Sequence, residues 1–93
     1  MTRRPPTPEV VLRGRALAAR LRAVREGKRL TREALAARSD LSINTIAAIE
    51  GGRRNSPELF TVAKLAVALG VTLDELVHGL VGDNPANPGS KVP

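Results

Sequence analysis

Residues 31–55, TREALAARSDLSINTIAAIEGGRRN, decide how this chain is read. At helical spacing Leu35 with Ala36, then Leu41, Ile46 and Ile49, fall on the inward side of two short helices that break around Arg38 to Leu41. Thr31 is placed to cap the first helix, expected from about Arg32 to Arg38. Glu33 stands one place short of the position that closes a reciprocal capping box, so a simple cap is expected there. Ser42 caps the second helix, Ile43 to Glu50, and Gly51 and Gly52 stop it. So short a break sends the second helix across the first at a steep angle, which is a helix-turn-helix, and Ala36 lies where the two must approach closely. The outward face of the second helix is Ile43, Asn44, Ala47 and Ala48. In this setting, that set of small and amide side chains suits a DNA major groove.

Toward the N-terminus, Thr7, Pro8 and Glu9 form a helix start: a capping hydroxyl, a proline at the first helical position and an acid in the first turn. Val10, Leu17, Leu21 and Val24 then keep one face apolar to about Glu26, with Gly14 a weak point and Gly27 the expected end. Before it, MTRRPP carries Arg3 and Arg4 among prolines and cannot join a core. It reads either as a basic arm that lies along phosphates or enters a minor groove, or as a tail without a role. Toward the C-terminus, Arg53, Arg54 and Asn55 form a loop, and Ser56 and Pro57 are expected to open a fourth helix. Leu59, Val62, Ala63, Leu65, Ala66 and Leu69 give that helix a wide apolar face, and Gly70 ends it. Thr72 to Glu75 has the spacing of a full capping box for a fifth helix, reaching Val77 or His78. The remainder is rich in Gly, Pro and Asn. With no repeat and no strand-like alternation, the expected architecture is all-α with five helices: a flexible basic arm at 1–7, a domain at 8–79 and a flexible C-terminal tail at 80–93.

Ninety-three residues make one domain with a modest core and leave no room for a separate ligand-sensing domain. There is no cysteine and a single histidine, His78, so no metal site and no cofactor are expected. Nor do clustered carboxylates or a nucleophile beside a base suggest a catalytic site, so the chain is not read as an enzyme. No apolar run reaches signal-peptide or membrane-spanning length, and a soluble, intracellular protein is expected. The net charge is +6, unevenly spread: residues 1–38 carry eleven basic and three acidic side chains, residues 56–93 two basic and four acidic. The basic half is suited to a polyanion.

From about Leu17 to Val77 the chain resembles the Cro/C1-type, XRE-like helix-turn-helix family. The resemblance runs through LAARLRAVR, LTREALA, LSINTIAAIEGGRRN and PELFTVAKLAVALGVTLDEL, in that order and at that spacing. It implies a compact five-helix repressor-type DNA-binding domain that acts on operator DNA as a dimer in the cytoplasm, bacterial or phage-encoded. Position by position, it implies a buried ion pair between Arg25 and Glu50. It puts Ile43, Asn44, Ala47 and Ala48 at base-facing positions, where Asn44 suits an adenine edge and the others thymine methyls. Thr31, Arg32, Ser42, Arg53, Arg54 and Asn55 match phosphate-holding positions. Two residues depart from the pattern. Asp40 stands where the family prefers glycine, and Gly51 where relatives often carry a polar or basic side chain.

Phe60, Val67 and Val71 on the outward side of helix four, with Leu80 and Val81, offer more apolar surface than a monomer needs to expose. They point to a homodimer that sets two recognition helices about 34 Å apart on a palindromic operator. The same fold also serves antitoxins, which hold a toxin partner, and restriction-modification controllers; the neighbouring genes distinguish these.

Overall fold

The computed structural model describes residues 5–81, and within them the chain folds as five helices: α1 (Pro8–Gly27), α2 (Arg32–Ser39), α3 (Ile43–Glu50), α4 (Leu59–Leu69) and α5 (Leu73–Val77). Arg3 and Arg4 of the expected arm, and the expected tail from residue 82 on, lie outside the described residues. No helix among the described residues is long and apolar enough to cross a membrane.

Four of the five starts are fixed by a hydroxyl. Thr7 Oγ1 accepts the Val10 N–H (3.2 Å), Thr31 Oγ1 that of Ala34 (3.0 Å), Ser42 Oγ that of Thr45 (3.0 Å) and Thr72 Oγ1 that of Glu75 (3.0 Å). Thr31 therefore makes the simple cap that Glu33 implied. At α5 only this half of the expected capping box forms. α4 is the exception: it begins at Leu59, after an uncapped Glu58, and not at Ser56–Pro57 as its sequence suggested. Ser56 precedes a proline and is driven away from helical backbone. The residues before α4 are used instead to carry the chain over α1. The late start leaves Leu59, expected on the buried face, 59% exposed at the first turn.

Three of the helices end alike. In α1 the Leu30 N–H reaches Arg25 O and the Arg29 N–H reaches Glu26 O; in α3 Arg53 and Gly52 bond back to Ala48 and Ile49; in α4 Val71 and Gly70 bond back to Ala66 and Val67. This is the paired closure that needs one left-handed residue, and Gly52 (φ 75°) and Gly70 (φ 72°) supply it in α3 and α4. In α1 the left-handed residue is Arg29 (φ 57°) and not Gly27, which is simply the last helical residue. Asp40 closes α2 at φ 60°, a conformation that a short polar side chain tolerates.

The core draws on every helix: Leu21 of α1, Leu35 of α2, Ile46 and Ile49 of α3, Leu65 of α4 and Leu76 of α5 are essentially inaccessible. α1 packs on α3 and α5, α2 on α3 and α4, and α4 on α5. Val10, read as part of the apolar face of α1, is only half-buried, whereas Gly14, Leu17, Ala18, Leu21 and Arg25 form the inward stripe.

Candidate nucleic-acid interface

α3 buries Ile46, Ile49 and Glu50 and turns the rest of its surface outward. Ile43 is 43% exposed, Asn44 is exposed, and Ala47 and Ala48 are partly so. The four therefore share the free side of one short helix, with Asn44 the only hydrogen-bonding group among them. An amide carries a donor and an acceptor side by side, the pattern that matches the major-groove edge of adenine.

Glu50, at the end of α3, holds this helix to two others. Its carboxylate takes a fork from Arg25 of α1, Nε to Oε2 at 2.7 Å and Nη2 to Oε1 at 2.9 Å, and a third bond from Arg32 Nε of α2 to Oε1 at 3.1 Å. Arg25 Nη1 also donates to Leu30 O at 2.7 Å, in the turn between α1 and α2. Arg25 and Glu50 are both buried. Burial by itself would push the Glu50 carboxyl up, but the hydrogen bonds from Arg25 and Arg32 outweigh it and hold the group below its ordinary range. The same hydrogen bond raises Arg25. Three helices are thus fastened at one carboxylate, and the orientation of α3 relative to the start of α2 is set there.

The sequence marks Arg32 as a phosphate-contact position; the structure adds an ion pair with Glu50 that local pattern does not signal. The two roles are compatible in this geometry. Only Nε is engaged, the side chain is 36% exposed, and neither terminal nitrogen has a partner among the described residues. The fork is held at its base and left open at its tip, beside the free N–H groups at the start of α2. The Ser42 hydroxyl, by contrast, is engaged twice, with the Thr45 N–H and with Thr45 Oγ1 at 2.9 Å.

The loop after α3 presents Arg53 and Arg54 to solvent, with Asn55 half-buried. Gly14 explains its position: a Cβ on Gly14 would lie 2.7 Å from Asn55 Cα and 3.0 Å from Asn55 O, closer than atoms pack. The mid-helix glycine read as a weak point is the seat on which the loop rests. Gly14 lies on the inward stripe, one turn before Leu17 and Ala18. Arg15 and Arg22 of α1, the latter paired with Glu26, line a groove with Glu50, Gly51 and Gly52 at the end of α3.

A family model described as a helix-turn-helix domain matches residues 16–78. The chain belongs to this family. Among solved structures, it is similar to the restriction-modification controller protein C.AhdI from Aeromonas hydrophila, at 35% identity and a TM-score of 0.65, over 68% of this chain and 94% of that one. It is also similar to the hypothetical transcription factor NHTF from Neisseria, at 31% identity and a TM-score of 0.65, over 83% and 86% of the two chains. A search of curated proteins returns no match. The expected dimer residues of this helix-turn-helix protein line two different grooves. Phe60 and Val67 border one with Arg38, Ser39, Ala63 and Lys64; Leu80 and Val81 border another with Leu59, Pro57 and Val77. Val71 is half-buried against the core.

Proposed function

We propose that this helix-turn-helix protein is a transcriptional regulator that binds a two-fold-symmetric operator as a homodimer, inserting α3 into the major groove and acting chiefly as a repressor. The observation that carries the reading is the outward face of α3, with the open fork of Arg32 held at Glu50, the last residue of α3, and the exposed Arg53 and Arg54 in the loop that follows. In this reading Asn44 selects adenine, while Ile43, Ala47 and Ala48 lie against thymine methyls. Arg32, Arg53, Arg54, Thr31 and Asn55 grip the backbone, and Ser42 contributes through the N–H groups it orders more than through its own hydroxyl. So sparse a set of base contacts leaves much of the selectivity to DNA shape.

For the dimer we favour the surface formed by Leu59, Leu80 and Val81, with Leu12 near it. Leu59 and Val81 are 59% and 67% exposed, and the groove they border includes Asn55 and Ser56 of the phosphate loop. A two-fold axis there keeps both loops beside each other on one face of a duplex. Likeness to C.AhdI supports a narrower version, in which the operator lies upstream of restriction and modification genes.

The test is fluorescence anisotropy with duplex from upstream of the protein's own gene against a scrambled duplex, over a salt series. Selective binding that weakens steeply with salt, is lost in Asn44→Ala, and loses about one unit of salt slope in Arg32→Ala is the expected result. Equal, weak binding to both duplexes would place the operator elsewhere; no binding to either duplex even at low salt would remove the proposal.

A further inference from the structure

α4 is apolar nearly all round: in LFTVAKLAVAL only Thr61 and Lys64 are polar. Its inward side, Val62, Leu65, Ala66 and Leu69, is covered by the core. On the opposite side Phe60, Ala63 and Val67 follow at helical spacing. Phe60, the one aromatic residue of the chain, is 68% exposed, and Val67 is 80% exposed. A helix apolar on both sides is ordinarily covered on both. This outer stripe and the end of α2 line a groove of about 330 Å³, whose charged groups are Arg38 and Lys64, with no carboxylate among the lining residues.

Those charges decide between occupants. A second copy docked about a two-fold axis presents the same patch to itself, so Arg38 and Lys64 of one copy face those of the other with nothing in the groove to neutralise them. We propose that the groove receives an acidic amphipathic helix of a partner protein, with apolar side chains set between Phe60 and Val67 and carboxylates on Arg38 and Lys64. None of the residues assigned to DNA lines this groove, so partner and operator are held by separate side chains.

The probe is a displayed library of random peptides about four helical turns long, selected against the full chain. Enriched peptides should combine apolar residues at helical spacing with a net negative charge. Their affinity, read by anisotropy, should fall about tenfold or more in Phe60→Ser and in Lys64→Glu. Exchanging the peptide's central acid for lysine should restore binding to Lys64→Glu. Both positions are exposed, and a thermal melt establishes that each variant is folded; Lys64→Glu alone carries the test if Phe60→Ser is not. No enrichment, enrichment of neutral or basic peptides, or affinities indifferent to both substitutions overturns the proposal. So does conversion of dimer to monomer by Val67→Glu in sedimentation, which gives the groove to a second copy.

Discussion

Replacing Arg25 by alanine removes three hydrogen bonds at once, two to Glu50 and one to the Leu30 carbonyl, from a site where the Glu50 side chain is wholly inaccessible. Breaking a buried ion pair from one side costs about 3–5 kcal/mol, because the surviving charge stays buried. Here Arg32 remains at 3.1 Å, so the lower end, about 3 kcal/mol, is expected. For a domain of this size that lowers Tm by about 12–24 °C and removes a large part of a total stability of order 0.1 kcal/mol per residue. Arg22→Ala is the control. Its pair with Glu26 spans 3.5 Å between side chains more than half exposed, and such i,i+4 pairs contribute about 0.3–0.5 kcal/mol. Urea unfolding followed by far-UV circular dichroism measures both, with equal m-values required before the midpoints are compared. A joint Arg25→Met, Glu50→Leu variant adds a discriminating arm. It strands no buried charge, since the freed Arg32 is partly solvated, and it should recover most of the loss. If Arg25→Ala and Arg22→Ala shift the midpoint equally and slightly, the three-helix fastening at Glu50 is not what orients α3.

The Glu50 carboxyl sits below its ordinary range in the fold, so the unfolded chain takes up the proton first on acidification. Stability from this group is full above the ordinary carboxylate value, about pH 4.3, and is lost as pH falls through the lower folded value. Urea midpoints from pH 7 to 3 should therefore fall less steeply below about pH 4 in Glu50→Gln than in the parent chain. Gly14→Ala gains about 0.5–1 kcal/mol of helix propensity but sets a Cβ against the backbone of Asn55 at 2.7 Å. The clash should win, lowering stability by about 1–3 kcal/mol and weakening operator binding together; a variant that melts and binds as the parent does refutes the seat. Arg29→Gly relieves a left-handed arginine and should raise stability by about 0.5 kcal/mol after the entropy that glycine adds to the unfolded chain, measured as a small rise in Tm.

The helices were legible because their punctuation is local. A hydroxyl at Thr7, Thr31, Ser42 or Thr72 acts on an N–H three residues away, and the period of the leucines and isoleucines shows which side is inward. What was not legible acts across the chain. Gly14 resembles any mid-helix glycine until Asn55 arrives beside it. Arg32 resembles any cation at a helix start until Glu50, eighteen positions later, comes within 3.1 Å. The start of α4 was misplaced for the same reason: Ser56 and Pro57 satisfy the local rule for a helix start, but the chain is still crossing Gly14 when it reaches them. Local pattern points to Gly27 as the stop, because glycine is the usual left-handed residue, yet the turn falls two residues later on Arg29.

Glu50 also joins stability to the interface. One carboxylate serves two arginines, so the cluster of three keeps a positive charge, and that charge sits on the partner nearer solvent, Arg32. The deeper partner, Arg25, is fully used in holding α1 to α3 and to the α1–α2 turn. A guanidinium fixed at Nε loses little further freedom when its terminal nitrogens meet a phosphate, so the ordering that a free surface arginine undergoes on binding is here completed during folding. Lysine at position 32 would keep the charge but has one nitrogen to divide between Glu50 and a phosphate. The fork geometry, and not charge alone, lets residue 32 serve the fold and the proposed DNA contact at once.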